Sequence, residues 1–303
     1  MSEQEVFEQV FVVDAPARLT VHNVRGSVEI KPGEDDKIKV HAVRDNLSGA
    51  PELTLVNISQ ADDGGVIAEA RYDKPYLVPL LFAKPCKVHF VIETPRSVSI
   101  NAKCVSSSLD VQSLEGNFKL KTVSGSLTAR DLSGDVYLKS VSGRILGERI
   151  SGPVDIDNVS GVIQLPDGDF PELAVKNVSG NIEAGTPIGA GPYVLTTVSG
   201  KITLRVPAGT RCSVSGKSVS GRFLTALPAT SLHTSKRHWN VEIGGGGAEV
   251  IMKTVSGNCQ LVTPENQHAV EPYLKVVPRP NRIDLLKQLE NGEKSVDEGL
   301  AQL

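Results

Sequence analysis

Val123-Ser124-Gly125, Leu132-Ser133-Gly134, Val141-Ser142-Gly143, Ile150-Ser151-Gly152 and Val159-Ser160-Gly161 follow one another with their glycines nine residues apart. Upstream in the same phase, Leu114-Glu115-Gly116 and Val105-Ser106-Ser107 bring the count to seven units. Such a sustained phase marks a repeat architecture, in which each unit packs on its neighbours and the core grows in one dimension. The triplet returns at Val178-Ser179-Gly180, Val198-Ser199-Gly200, Val219-Ser220-Gly221 and Val255-Ser256-Gly257, after intervals of 19, 20, 21 and 36 residues. Those intervals predict later coils that have absorbed insertions.

Two kinds of unit alternate. Thr, Ser or Asn precedes Val-Ser-Gly at 125, 143 and 161, whereas Leu or Ile leads the triplets ending at 116, 134 and 152, which makes the period 18. A strand advances about 3.3 Å per residue, so nine residues hold a short strand and a corner, and two units close one flattened coil. Three units per coil is the alternative. Phe118, Leu127, Val136, Ile145, Val154, Ile163, Ile182, Ile202 and Phe223 stand two residues after each glycine, and Leu120, Ala129, Leu138, Ile156, Leu165 and Leu204 stand four after. This alternation predicts half-buried strands. The Val, Leu or Ile that opens each triplet is expected to point inward as well, so that Val123, Val141 and Val159 share a buried column. Glycine at each corner allows a backbone angle that a Cβ resists, and the preceding serine can hydrogen-bond the turn. Ser107, standing where glycine is expected, predicts an irregular first coil.

The fold class that follows is all-β, a solenoid of short parallel strands with about 18–20 residues per coil, right-handed as parallel crossovers are. Residues 1–100 carry strand-like runs such as Arg18-Leu19-Thr20-Val21 and Val88-His89-Phe90-Val91-Ile92 and are expected to start and cap the stack. The repeat solenoid is assigned to 101–265 and a Pro-containing linker to 266–280. Over 281–303, Ile283, Leu286 and Leu289 share one helical face, Gly292 interrupts, and Ser295-Val296-Asp297-Glu298 forms a capping box, which predicts a helical hairpin.

Composition bounds the function. Charged residues are 22% of the 303, and the formal net charge is −3. Neither a disordered chain nor a nucleic-acid-binding polycation is indicated. The four cysteines, Cys86, Cys104, Cys212 and Cys259, form no Cys-x-x-Cys pair and read as reduced, buried thiols. The acidic start, Met1-Ser2-Glu3-Gln4-Glu5, lacks the basic and apolar regions of an export signal, so a cytoplasmic protein is expected. The apolar run at 76–83 is broken by Pro79 and falls short of the roughly 20 residues of a membrane span.

The repeats resemble those of the bacterial putative-adhesin domain family. So do Ala17-Arg18-Leu19-Thr20-Val21-His22-Asn23-Val24-Arg25-Gly26-Ser27-Val28 near the start and Gly247-Ala248-Glu249-Val250-Ile251-Met252-Lys253-Thr254-Val255-Ser256-Gly257 near the end. The resemblance covers roughly residues 10–265. It implies a β-solenoid of bacterial origin, a link to adhesion or cell-envelope stress, and no agreed active site. The tail from Ile283 to Ser295 is similar to short helical hairpins found with such domains, including those of envelope-stress proteins.

Asp110, Asp135, Asp155 and Glu183 could face outward, as a β-helix carbohydrate-active enzyme would require, yet Asp135 occupies a different repeat position. They read as solvated acids, and the protein is expected not to be an enzyme. Calcium-binding β-rolls need a recurring Asp that these corners lack. Gly216-Lys217-Ser218 imitates the end of a phosphate loop, but Arg211 stands where the first glycine belongs. Of the six histidines only His233 and His238 lie close in sequence, and no metal or cofactor motif is read.

Two surface features remain. Four residues before the corner, Lys103, Lys121, Lys139, Lys176, Lys217 and Lys253 recur, interrupted by Asp157 and Thr196. If these units stack, they form a partial cationic ladder for an anionic polymer or lipid head group. Neighbouring strands lie about 4.8 Å apart, and like charges at that spacing repel by only about 1 kcal/mol in water, so the fold tolerates the ladder without a ligand. The segment containing Tyr76, Leu77, Leu80, Leu81 and Phe82 either covers an end of the stack or offers a contact patch. The reading is a non-enzymatic scaffold or binding protein whose C-terminal helices or apolar segment serve a protein partner or self-association. A sensor acting through a membrane partner is the third alternative.

Overall fold

The structure is a computed structural model and describes residues 3–73, 84–235 and 237–264. Apart from two single 3-10 turns, Asn46–Ser48 and Pro51–Leu53, its regular elements are strands joined in one continuous sheet. The helical hairpin expected over 281–303 and the apolar patch of Tyr76, Leu77, Leu80, Leu81 and Phe82 lie outside the described residues. Among the described residues no helix is long and apolar enough to cross a membrane.

The 18-residue period is the coil. Leu109 pairs in parallel with Leu127, and Phe118 with Val136, each 18 residues on; Val136 pairs in turn with Val154. The step then lengthens to 19 between Val154 and Leu173 and to 20 between Leu173 and Tyr193. One coil has three sides rather than the two of a flattened loop: Ile145–Glu148, Ile150–Ser151 and Val154–Ser160. The Val-type unit makes one long side, the first face, while the Leu-type unit is bent into two short sides. The bend is made by Ser113, Asp131 and Arg149, at φ of 59°, 51° and 51°. A left-handed residue between two extended stretches turns the chain and resets which side chains face inward.

That bend corrects the expectation for the valines. In the Leu-type unit it lies just before Leu114, Leu132 and Ile150, all 1% exposed. The Val-type unit is extended without interruption from Phe118 to Ser124, so period-two alternation runs on unbroken. Phe118, Leu120 and Thr122 point in, and Lys121 and Val123 point out. Val105, Val123, Val141, Val159, Val178, Val198, Val255 and Val219 are accordingly 42–56% exposed. Their neighbours Cys104, Thr122, Ser140, Asn158, Asn177, Thr197, Thr254 and Ser218 fill the buried column that the valines were expected to fill.

This buried column is largely polar because it lies where the chain rounds the corner and carbonyls need donors. Asn177 Nδ2 donates to the carbonyls of Gly161 and Gly180, each at 3.1 Å, and Asn158 Nδ2 donates to Asn177 Oδ1 at 3.3 Å. At the irregular first corner Asn23 Nδ2 donates to the Ser107 hydroxyl at 3.1 Å. The rest of the interior is aliphatic, with columns such as Leu120–Leu138–Ile156–Val175–Leu195–Met252. Each such buried side chain contributes roughly 1.5–3 kcal/mol. Corner glycines are required by the stack itself: Gly161 sits at φ 135°, and a Cβ there would overlap the carbonyl oxygen of Gly143 on the neighbouring coil.

Both ends close with antiparallel strands. At the start, Ala17–Pro32 pairs in parallel with residues of Ser97–Ser124, Lys87–Thr94 and Val66–Tyr72. Thr54–Gln60, Lys37–Asp45 and Gln4–Val12 then add antiparallel strands. At the far end the rungs leave sequence order. Tyr193–Ser199 pairs with Ala248–Ser256, which pairs with Cys212–Ser218, which is covered by the hairpin of Ala229–Thr234 and His238–Ile243. The long interval before Val255 therefore reflects a change of stacking order rather than a simple insertion. Such endings interrupt the parallel register, so that a further coil of the same kind has no matching edge to continue.

Candidate binding face

The first face carries the lysines. Glu69, His22 and Lys103 occupy successive rungs, with Lys121 18 residues beyond Lys103 in the register that sets Gly125 over the Ser107 carbonyl. Lys139, Asp157, Lys176, Thr196, Lys253, Lys217 and His238 then follow. The six lysines thus lie in one outward row, although Asp157 and Thr196 break its charge. Among the described residues Lys139 alone of the six has a carboxylate partner, Asp157, at 3.8 Å. Tyr137 also donates its hydroxyl to Asp157, at 3.1 Å. Lys121 stands over the Tyr137 ring, 5.6 Å from its centroid. Its pKa is held below the usual 10.5, first by desolvation and then by the like charges of Lys119, Lys103 and Lys139.

Beside this row runs an open groove of about 840 Å³, crossing the starts of the first-face strands from Arg18 to Val194. Tyr137, Pro153, Ala174, Pro192 and Val194 give it an apolar floor, with Lys119 and Lys121 at one side and Asp135, Asp155 and Glu172 further along. Arg18, at its beginning, is paired with Asp63 at 2.9 Å. Lys119 and Tyr137 were not singled out from the sequence. The signal available was position, since Lys119 lies two residues before Lys121 and therefore on the same side of a strand.

The carboxylates do not converge as an enzyme of glycosidic bonds requires. Asp110 binds Arg130 at 2.8 Å, where Glu148 joins it at 3.2 Å, and Glu183 binds Arg205 at 3.2 Å, so two of the four candidate acids sit in ion pairs that hold adjacent coils together. Asp135 and Asp155 project from one sheet face into the same groove rather than from facing walls. Lys217 lies within the strand Cys212–Ser218, not in a phosphate-binding loop. His233 and His238 line a shallow depression with Trp239. Among the described residues no group of three metal-ligating side chains occurs. All four cysteines are free and buried, and burial pushes Cys104 and Cys259 up to about 12 and Cys212 to about 11.

Comparison with solved structures finds several similar chains. A putative adhesin from Bacteroides fragilis is 10% identical with a TM-score of 0.44, covering 85% of this chain and 97% of that one. A putative cell adhesion protein from Clostridium sporogenes is 14% identical with a TM-score of 0.27, covering 86% of this chain and 100% of that one. A putative lipid binding protein from Parabacteroides distasonis is 11% identical with a TM-score of 0.34, covering 85% and 96%. A comparison with curated proteins finds no match. The sequence itself matches the family model described as Toastrack DUF4097 over residues 17–262, and the chain belongs to that family.

Proposed function

We propose that the protein is a non-enzymatic, adhesin-like binding scaffold whose first face holds an anionic ligand. One observation supports this most directly. Among the described residues Lys103, Lys121, Lys176, Lys217 and Lys253 share an outward row without a carboxylate partner. A rigid ladder of that kind costs little in water and becomes favourable when a multivalent anion bridges the rungs. The recognised chemistry is a repeated phosphate, sulfate or carboxylate, presented by a polymer or by lipid head groups. The groove beside Lys119 and Lys121 gives an apolar body next to those charges somewhere to lie.

The test replaces Lys103, Lys121 and Lys176 with Gln and measures binding to a soluble polyanion and to anionic vesicles. Wild-type binding is expected to weaken as salt rises, because contacts between exposed charges are screened over about 10 Å at 0.1 M. The triple variant is expected to bind at least about tenfold more weakly. Unchanged affinity for both probes would overturn the reading.

A further inference from the structure

The lysine row has a neighbour that the fold does not account for. Two residues along each long strand, on the same outward side, stand Val24, Val105, Val123, Val141, Val159, Val178, Val198, Val255 and Val219, one on each of nine successive rungs. At about 4.8 Å per rung this is a continuous aliphatic stripe roughly 40 Å long. Eight of the nine are 42–56% exposed. The stack does not need them for its core, since the buried column is supplied by the residue before each valine. Valine nevertheless holds every rung, while the inward neighbour ranges over Asn, Cys, Thr and Ser. The stripe is bordered on one side by lysines and on the other by the exposed serines Ser124, Ser142, Ser160, Ser179 and Ser199.

We propose that this stripe is where the protein lies on an anionic phospholipid bilayer, with the stack axis in the plane of the membrane, the valines entering the interfacial layer and the lysines reaching the head groups. The inference rests on the anionic-ligand reading above and narrows it to one occupant. Charge complementarity makes the choice. The row beside the stripe holds six lysines against two acids, Asp157 and Glu69, while Asp135, Asp155 and Glu172 lie further out in the groove, so a second copy packed stripe to stripe would meet the lysines with lysines or serines rather than with acids. A soluble polyanion would answer the lysines and leave the valines in water. An anionic lipid surface meets both demands and is flat on the scale of the stripe. The approach carries no backbone penalty, because the strands bearing Val105 to Val255 each have neighbours on both sides and their polar groups are already paired. Interfacial binding of this type adds the apolar area inserted to the attraction for anionic lipid.

The experiment uses the full chain, a variant with Val123, Val141, Val159 and Val178 changed to Ser, and the Lys103, Lys121, Lys176→Gln variant. The probes are phosphatidylglycerol–phosphatidylcholine vesicles, pure phosphatidylcholine vesicles and soluble polyphosphate. Wild type is expected to bind the anionic vesicles and not the neutral ones. The valine variant is expected to lose at least about tenfold on vesicles, with roughly half a valine side chain lost from the interface at each position, and to bind polyphosphate as wild type does. The lysine variant is expected to lose both. An environment-sensitive fluorophore on a Val141→Cys variant, whose native cysteines are buried, should shift to the blue on anionic vesicles only. A valine variant that binds vesicles as wild type does, or a fluorophore that does not shift, overturns the membrane inference and leaves the anion reading standing. So does binding of polyphosphate without vesicles, or a dimer in sedimentation that the valine changes abolish. Loss of neither ligand in the lysine variant overturns the anion reading itself.

Discussion

Leu132→Ala and Val141→Ala trim the first residue of two consecutive triplets, Leu-Ser-Gly and Val-Ser-Gly, and the structure assigns them opposite environments. Leu132 is 1% exposed and Val141 is 42% exposed. Leu132→Ala removes three buried carbons at about 0.8 kcal/mol each, close to 2.4 kcal/mol. The cavity left in the column with Leu114 raises the loss to about 3–4 kcal/mol. Val141→Ala removes two carbons, little more than half covered, for about 1 kcal/mol, and leaves no cavity because water reaches the site. Urea denaturation followed by circular dichroism separates the two. With an m-value near 3 kcal/mol per molar the midpoint should fall by about 1 M for Leu132→Ala and by about 0.3 M for Val141→Ala, at unchanged slope. Equal shifts, or a larger one for Val141→Ala, would refute the claim that the left-handed residue at Asp131 sets the phase of the triplet that follows it.

Gly161→Ala should cost roughly 3 kcal/mol or more, since it combines a strained φ with overlap on the coil beneath; Ser160→Ala beside it should shift the melting temperature hardly at all. Cys104, Cys212 and Cys259, whose burial holds their pKa at about 11–12, should resist iodoacetamide at pH 8 in the native protein and react at once in urea; rapid labelling without unfolding would contradict their placement. Hydrogen bonds and charge from Lys37 and Lys39 pull Glu34 from the ordinary 4.5 to about 2. Its contribution is therefore complete above about pH 4.5 and lost as pH falls towards 2. Glu34→Gln should flatten the stability profile in that window and nowhere else, and added salt should shrink the difference.

The sequence disclosed the coil because the register is written in it: glycines nine residues apart and aliphatics two and four residues after each. It also disclosed the lysine row, because residues at equal offsets from a corner stack once the corners do. The valines are buried in the sequence pattern and exposed in the fold for a physical reason. Val123 and Leu132 open look-alike triplets, and only the backbone angle at Asp131 distinguishes them. Strict alternation from Phe118 and Leu120 already leads to Thr122 and would have placed Val123 outside, had the polar residue been accepted as the buried one. The far end was illegible for another reason. Nothing local in Val219-Ser220-Gly221 or Val255-Ser256-Gly257 says which lies against Val198, because both offer the same edge.

That reversed order shapes how the molecule can be made. Ala248–Ser256 joins Tyr193–Ser199 on one side to Cys212–Ser218 on the other, so it is the keystone of the far end although it is the last of the three to leave the ribosome. Until it emerges, the growing chain has an unfinished slot and a detached lid, and the distance along the chain that must be closed is long, which slows this final step relative to the local zipping of the earlier coils. A chain ending before residue 248 would keep the early coils and leave Cys212–Ser218 and its hairpin without their attachment to the stack, so nonsense or proteolytic loss there should yield a sticky, open-ended rod rather than a slightly shorter protein.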